Sequence, residues 1–287
     1  MNKKISPFHL KYCAKGSREI GNRFIKETKE LVKIVNCIEI DFNWPHNQNF
    51  EKEIKFLIKL QKEKDIKYVV HAPFFDGGIN ALNEKIRKAA LEEIFYSIDM
   101  ACRLKSKVVT IHPATELFGL KIFKREELEI NSYNQIAQYA KKRDVFIGLE
   151  NEANFWSPDK SFKFGEFPDR ACKFKGIEKI IKKINLKNFG LTLDIGHANG
   201  AGENYIEAIY RFKDRILHIH AHDNLGKRPI NGRFDPHLPP GDGEIDWRKV
   251  IKALKKINYQ GYFEIECNIE GIKKGINFLE KQKRMIV

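Results

Sequence analysis

The chain has 287 residues, with 52 Lys and Arg against 38 Asp and Glu, a formal charge of +14. Hydrophobic residues make up 42% of it, enough to bury a large core, which excludes wholesale disorder. The longest apolar runs are strand-sized, too short to span a bilayer, and Pro7 interrupts the N-terminus before an apolar signal segment can form, so the expected location is the cytoplasm.

Along the chain, short β-branched runs alternate with longer stretches whose apolar residues recur three and four apart, the mark of βα units. The runs fall at residues 8–12, 34–42, 67–71, 107–112, 145–150, 190–194, 216–222 and 262–267. Residues 84–103 have helical spacing (Ile86, Ala90, Ile94, Ile98, Ala101), as do 247–257 (Val250, Ile251, Leu254, Ile257), with Asp246 as an expected N-cap. Eight strands alternating with helices over this length fit one α/β domain, a single (β/α)8 TIM barrel spanning 1–287. An open doubly wound sheet is the competing arrangement, but the segment after the first run, Cys13-Ala14-Lys15-Gly16-Ser17, is no phosphate-binding glycine loop. The five cysteines are scattered, with no C-x-x-C pair, and read as small buried residues rather than a disulfide or thiolate framework.

A barrel of this type collects its active site from the C-terminal ends of its strands. The apolar stretches of the third to eighth runs close in turn on His71, His112, Glu150, Asp194, His220 and Glu266, the last two just inside the run ends, with His197 one turn after Asp194. Every one of these is able to bind a metal, although only about a sixth of the chain is Asp, Glu or His. The loop after the seventh run adds Asp235 and His237. His218, His220 and His222 alternate along one strand and share a face, so the pattern alone leaves open which of them ligates. Glu264 shares a face with Glu266 by the same rule, and the later position favours Glu266.

Taken singly, such residues are ordinarily hydrogen-bonded rim groups or helix caps. Together they would bury several carboxylates without compensation, a cost that a bound cation removes. Imidazole and carboxylate donors without thiolate suit zinc, manganese or iron. Nine donors exceed what one ion takes and suit two or three, with carboxylates bridging. Zinc is the expected ion and manganese the alternative.

These residues resemble the xylose isomerase-like barrel superfamily and, within it, the endonuclease IV branch. The likeness runs from about Ile34 to Cys267 and rests on His71-Ala72-Pro73, Ile111-His112-Pro113, Gly148-Leu149-Glu150-Asn151, Leu193-Asp194-Ile195-Gly196-His197, His220-Ala221-His222-Asp223, Asp235-Pro236-His237 and Gly241-Asp242-Gly243-Glu244-Ile245-Asp246-Trp247. The resemblance implies that the nine named residues are ligands of a trinuclear zinc site, and that Phe74 and Phe75 stand where that enzyme carries DNA-penetrating residues. The chain departs from the pattern where His222 replaces an asparagine, where Asn224-Leu225 replaces Ser/Ala-Lys, and where Ile195-Gly196 replaces Thr-Cys. It also lacks a Tyr-Leu-Ile-Asn run after His71. Those surroundings look more like barrels named as sugar phosphate isomerases or epimerases. In sugar epimerases of the superfamily the residues matching Glu150, Asp194, His220 and Glu266 hold one metal, and the two glutamates shuttle the proton.

Two mechanisms follow. Phosphodiester hydrolysis would use all nine donors, with Lys227, Arg228 and Arg233 as phosphate clamps in the loop that carries Asp235. In the loop 154–176, Phe155, Trp156, Phe162, Phe164 and Phe167 are interleaved with Lys160, Lys163, Arg170, Lys173 and Lys175. That composition suits a single-stranded or extruded nucleotide, and equally an aromatic lid over a small ligand. Isomerisation or epimerisation would use Glu150 and Glu266 as the acid/base pair and leaves His71, His112, Asp235 and His237 without a role. Part of the positive charge falls in these two loops, which favours an anionic, phosphate-bearing substrate, a nucleic acid among the candidates.

Overall fold

The computed structural model describes residues 8–286, apart from 49, 75–77, 116–122, 154–166, 229 and 231–234. Eight parallel strands close into a barrel in sequential order, each pairing with its neighbours in the chain and the last with the first. The strands are β1 (Lys11–Lys15), β2 (Cys37–Asp41), β3 (Lys67–His71), β4 (Val108–Ile111), β5 (Phe146–Glu150), β6 (Phe189–Asp194), β7 (Ile216–Ala221) and β8 (Tyr262–Ile265). Between and after them run α1 (Gly21–Leu31), α2 (Glu51–Lys64), α3 (Glu84–Arg103), α4 (Phe123–Lys141), α5 (Asp169–Cys172), α6 (Phe174–Ile184), α7 (Ile195–Ala201), α8 (Tyr205–Arg211), α9 (Trp247–Lys256) and α10 (Ile269–Arg284). The single barrel expected from the alternation is the fold.

The strands are covered on both faces, β2 and β6 along their whole length, and their apolar residues are interrupted by buried polar ones such as Glu39, Asp41 and Asp194. The helices lay one stripe on the barrel. In α9, Trp247, Val250, Ile251 and Leu254 are buried, and Asp246 caps the helix by accepting from the Lys249 N–H at 3.0 Å. Asn83 and Asn268 cap α3 and α10 in the same way.

The first strand lies three residues later than its expected place at 8–12. The alternation of Phe8, Leu10 and Tyr12 resembles a strand, but the barrel takes in the small residues Cys13 and Ala14, both fully buried, and the strand ends on Lys15. Barrel interiors fill in layers contributed by alternate strands. Cys13, Cys37 and Val69 form the apolar lower layer. Two residues further along the same strands stand Lys15, Glu39 and His71, so the interior turns polar as it rises towards the C-terminal mouth. None of the five cysteines is in a disulfide. Among the described residues no helix is long and apolar enough to cross a membrane.

Candidate metal centre

The nine expected donors all gather at the C-terminal mouth, and they fall into three groups. His71, His112 and Glu150 form the first; Glu150, Asp194, His220 and Glu266 the second; His197, Asp235 and His237, joined by His222, the third. Within each group one donor atom per residue lies within 4.8 Å of all the others.

Glu150, the last residue of β5, joins the first two groups. Its Oε2 lies 3.3 Å from His71 Nε2 and 3.0 Å from His112 Nε2, whereas its Oε1 lies 3.0 Å from His220 Nδ1. The two oxygens of one carboxylate therefore face different donor sets. Asp194 plays two parts as well. Its side chain caps α7 by accepting from the His197 N–H at 2.6 Å, which fixes His197 one turn along, and its Oδ2 faces His220 Nδ1 at 4.0 Å. In the third group Asp235 Oδ2 lies 2.9 Å from His237 Nε2 and 3.4 Å from His197 Nε2.

Each of these five imidazoles has one nitrogen engaged from behind and turns the other inward. His71 donates from Nδ1 to the Ala72 carbonyl, His197 to that of Asn151 and His237 to that of Glu266, at 2.8, 3.1 and 3.1 Å. His112 Nδ1 lies 2.7 Å from Glu152, and His220 Nε2 lies 3.2 Å from Glu39. An outer acceptor of this kind fixes the tautomer and aims the free lone pair, which is how metal-binding histidines are usually held.

Burial and charge act in opposition here. Burial alone would strip the proton from His112, but Glu152 and Glu150 push its pKa up to about 10. His197 and His220 are held well above the usual histidine range against the same burial penalty, by Asp194 and Glu152 for the one and by Glu150 and Glu39 for the other. Glu150 is driven the other way: burial would raise it, yet the His220 and His112 charges hold it far below the ordinary carboxylate range. With no cation at hand, protons on the imidazoles neutralise the carboxylates, and a bound ion would take their place. The site still lacks partners. Buried Asp194 Oδ2 and Asp235 Oδ1, and both ring nitrogens of His222, make no hydrogen bond among the described residues. Donor chemistry and orphaned atoms together fit divalent ions.

The two histidines of β7 and His222, which follows it, sort by height. His220 faces the second group, while His218 lies one layer below with Glu264 at 3.0 Å and His222 one layer above. Burial, then the His220 charge, lowers His218 to about 3 and keeps it neutral.

The expected substrate residues divide. Phe74 stacks flat on His112, with ring centroids 4.2 Å apart and planes 11° apart, and lines the cavity at the barrel mouth. Phe75, Trp156 and Arg233 lie outside the described residues. Lys227 and Arg228 do not line the cavity: the chain turns at Gly226 (φ +60°), and the exposed Arg228 pairs with Glu244. The cations that do line it are Lys15, 2.8 Å from Glu266, and Arg18, 2.9 Å from Asp41. These two, with Glu39, Asp41 and Glu152, went unnoticed in sequence. The misplaced first strand concealed Lys15, and the end of the second run was not read at all. Glu152 sits two residues past the strand end that was read. The cavity holds about 340 Å³.

The model of the xylose isomerase-like TIM barrel family matches residues 31–282. An uncharacterized protein of Methanocaldococcus jannaschii is 36% identical over 240 residues, 82% of this chain and 76% of that one. A crystal structure described as a D-tagatose 3-epimerase-like protein superposes with a TM-score of 0.82 at 30% identity, covering 96% of this chain and 98% of the other. A probable endonuclease 4 of Malacoplasma penetrans is 24% identical over 237 residues, 76% of this chain and 75% of its own.

Proposed function

The chain belongs to the xylose isomerase-like TIM-barrel family, and on that footing we propose that it is a divalent-metal-dependent enzyme that hydrolyses a phosphodiester bond at a centre of two or three ions. One observation carries the reading: the two oxygens of Glu150 face separate donor sets, with the His197–Asp235–His237 group alongside. A mechanism that needs one ion leaves His71, His112, Asp235 and His237 idle.

Divalent ions in such a centre polarise a phosphoryl oxygen and make water acidic enough to attack near neutral pH. The chain's own groups do the rest. Glu150 spaces the first two donor sets, and the imidazoles, aimed from behind by carbonyls and carboxylates, hold their lone pairs in place. Lys15 and Arg18 bring positive charge to the wall against which an anionic substrate would lie. Phe74 packs across His112 and keeps that side of the cavity dry. A cavity of about 340 Å³ suits a small phosphate-bearing substrate or a single extruded nucleotide.

A second reading, metal-dependent epimerisation of a sugar or sugar phosphate, draws support from the 30% identity to the epimerase-like structure. In it Glu150 and Glu266, both in the second donor group, remove and return one proton. Metal analysis with two substrates separates the readings. Hydrolysis expects about two to three zinc ions per chain and turnover of bis(p-nitrophenyl) phosphate that Glu150→Gln lowers by about 1,000-fold or more. One manganese per chain, with ketohexoses interconverted and the phosphodiester untouched, overturns it in favour of epimerisation.

A further inference from the structure

His222 is the residue of this site with least to do. It is fully buried, and neither ring nitrogen closes a hydrogen bond among the described residues. Its Nε2 lies 3.2 Å from Asp194 Oδ1 and its Nδ1 lies 3.6 Å from Asp235 Oδ1. The ring stacks on that of His237, centroids 4.0 Å apart, and stands edge-on to His197 at 5.4 Å. With Asp194 facing Nε2, it is Nδ1 that is buried without a hydrogen bond, which costs free energy unless something else occupies that nitrogen.

The space for the ring is made by Gly196. A Cβ at that position would lie 2.2 Å from His222 Cε1 and within 2.5 Å of both ring nitrogens, so no other residue there is compatible with His222 as placed. The absence of a side chain at the start of α7 thus admits the ring that follows β7.

We propose that His222 is a fourth protein ligand, through Nδ1, for an ion held by His197, Asp235 and His237. The inference rests on the multinuclear reading of the site. Asp194 stands behind Nε2 as Glu39 stands behind Nε2 of His220, so each of the two rings turns Nδ1 toward its donor group and Nε2 toward a carboxylate. Four protein donors would suit a structural rather than a catalytic ion, since a tetrahedral zinc so held would keep no position for water. Its part is to fix the His197 and Asp235 side chains and to hold positive charge at the mouth. Chemistry on substrate then belongs to the two groups that share Glu150.

The test measures metal, not turnover. Zinc per chain is counted for the wild type, His222→Asn and Gly196→Ala, each checked for folding by circular dichroism, and cobalt-loaded samples are compared by visible absorption. The expected result is that His222→Asn lowers affinity for one ion at least about 100-fold, more than loss of an outer partner costs, and alters the cobalt band. Gly196→Ala, which displaces the ring while leaving every donor in the sequence, should do the same more weakly. If the wild type holds two or three ions and both variants keep its stoichiometry, affinity and spectrum, this inference is overturned and the multinuclear reading stands. A wild type with a single ion that is lost on Glu150→Gln and unmoved by His222→Asn overturns both.

Discussion

Two layers of the barrel interior use the same residue types, a His and a Glu two positions apart along β7 and the β8 chain, and behave in opposite ways. The lower layer holds His218 and Glu264; the upper holds His220 and Glu266, with Glu150 alongside. Below, burial and the Glu39 charge push Glu264 up towards its neutral acid, and His218 is neutral at about 3, so the pair at 3.0 Å carries little net charge. Above, burial is outweighed by Lys15 and His220, which hold Glu266 well below the ordinary range. The difference lies in the neighbours. Carboxylates surrounded by cations stay charged and available, whereas a carboxylate facing another carboxylate in the dry interior takes up a proton. Both layers offer groups of donors, and in the upper one the carboxylate keeps the charge that a cation would meet.

The sharpest way to break this contrast is to neutralise the matched pair. Glu266→Gln should lower metal affinity by about 100-fold or more, measured by competition with a chelator. Glu264→Gln replaces a neutral acid by a neutral amide of the same shape, so its effect on unfolding free energy should stay within about 1 kcal/mol. A large loss of metal from the Glu264 variant would show that the lower layer ligates too. Glu39 stands between the layers, held at about 2 with burial opposing and His220 the main cause. Because it acts through His220, Glu39→Gln should cost about 10- to 100-fold in metal affinity, with Glu39→Asp restoring part of it.

Stability against pH gives a gentler test. In metal-free protein His112 has its pKa raised to about 10, so its contribution is complete below the unfolded value near ~6.5 and is lost as pH rises from there to about 10. His218, lowered to about 3, works in reverse: its neutral form favours folding above ~6.5, and that contribution is lost as pH falls below it. Urea unfolding in chelator should therefore show stability declining between roughly pH 7 and 10, and zinc should flatten the decline by displacing the proton. A metal-free chain whose stability is level over that window would contradict the charge assigned to the upper layer. The smallest effect is expected at the rim. Arg228→Ala removes an exposed pair with Glu244 and should change stability by no more than about 0.5 kcal/mol, with kcat/KM unchanged.

The ring of donors was legible because strand ends are legible. A β-branched run closing on His, Glu or Asp, repeated six times, places those side chains at one rim of any closed parallel barrel. His220 was separated from His218 and His222 only by the structure, since all three obey the same alternation and height in the barrel depends on how the strands stagger. Lys15 was missed for a related reason. The small residues Cys13 and Ala14 look unlike a strand, and they are held in one by its neighbours, Cys13 packing with Cys37 and Val69 and Ala14 with the core on the opposite face. Lys227 and Arg228, expected as clamps, do not line the cavity, since proximity in sequence to Asp235 says nothing about which way a loop turns.

The barrel and the strand-end places of the candidate donors follow from the sequence alone, since hydrophobic period and residue chemistry are local properties. The tertiary structure decided which oxygen of Glu150 meets which histidine, what stands behind each imidazole, and that Gly196 makes room for His222. Those are contacts between residues from different strands, and their strength depends on burial and on charges that no stretch of chain carries alone.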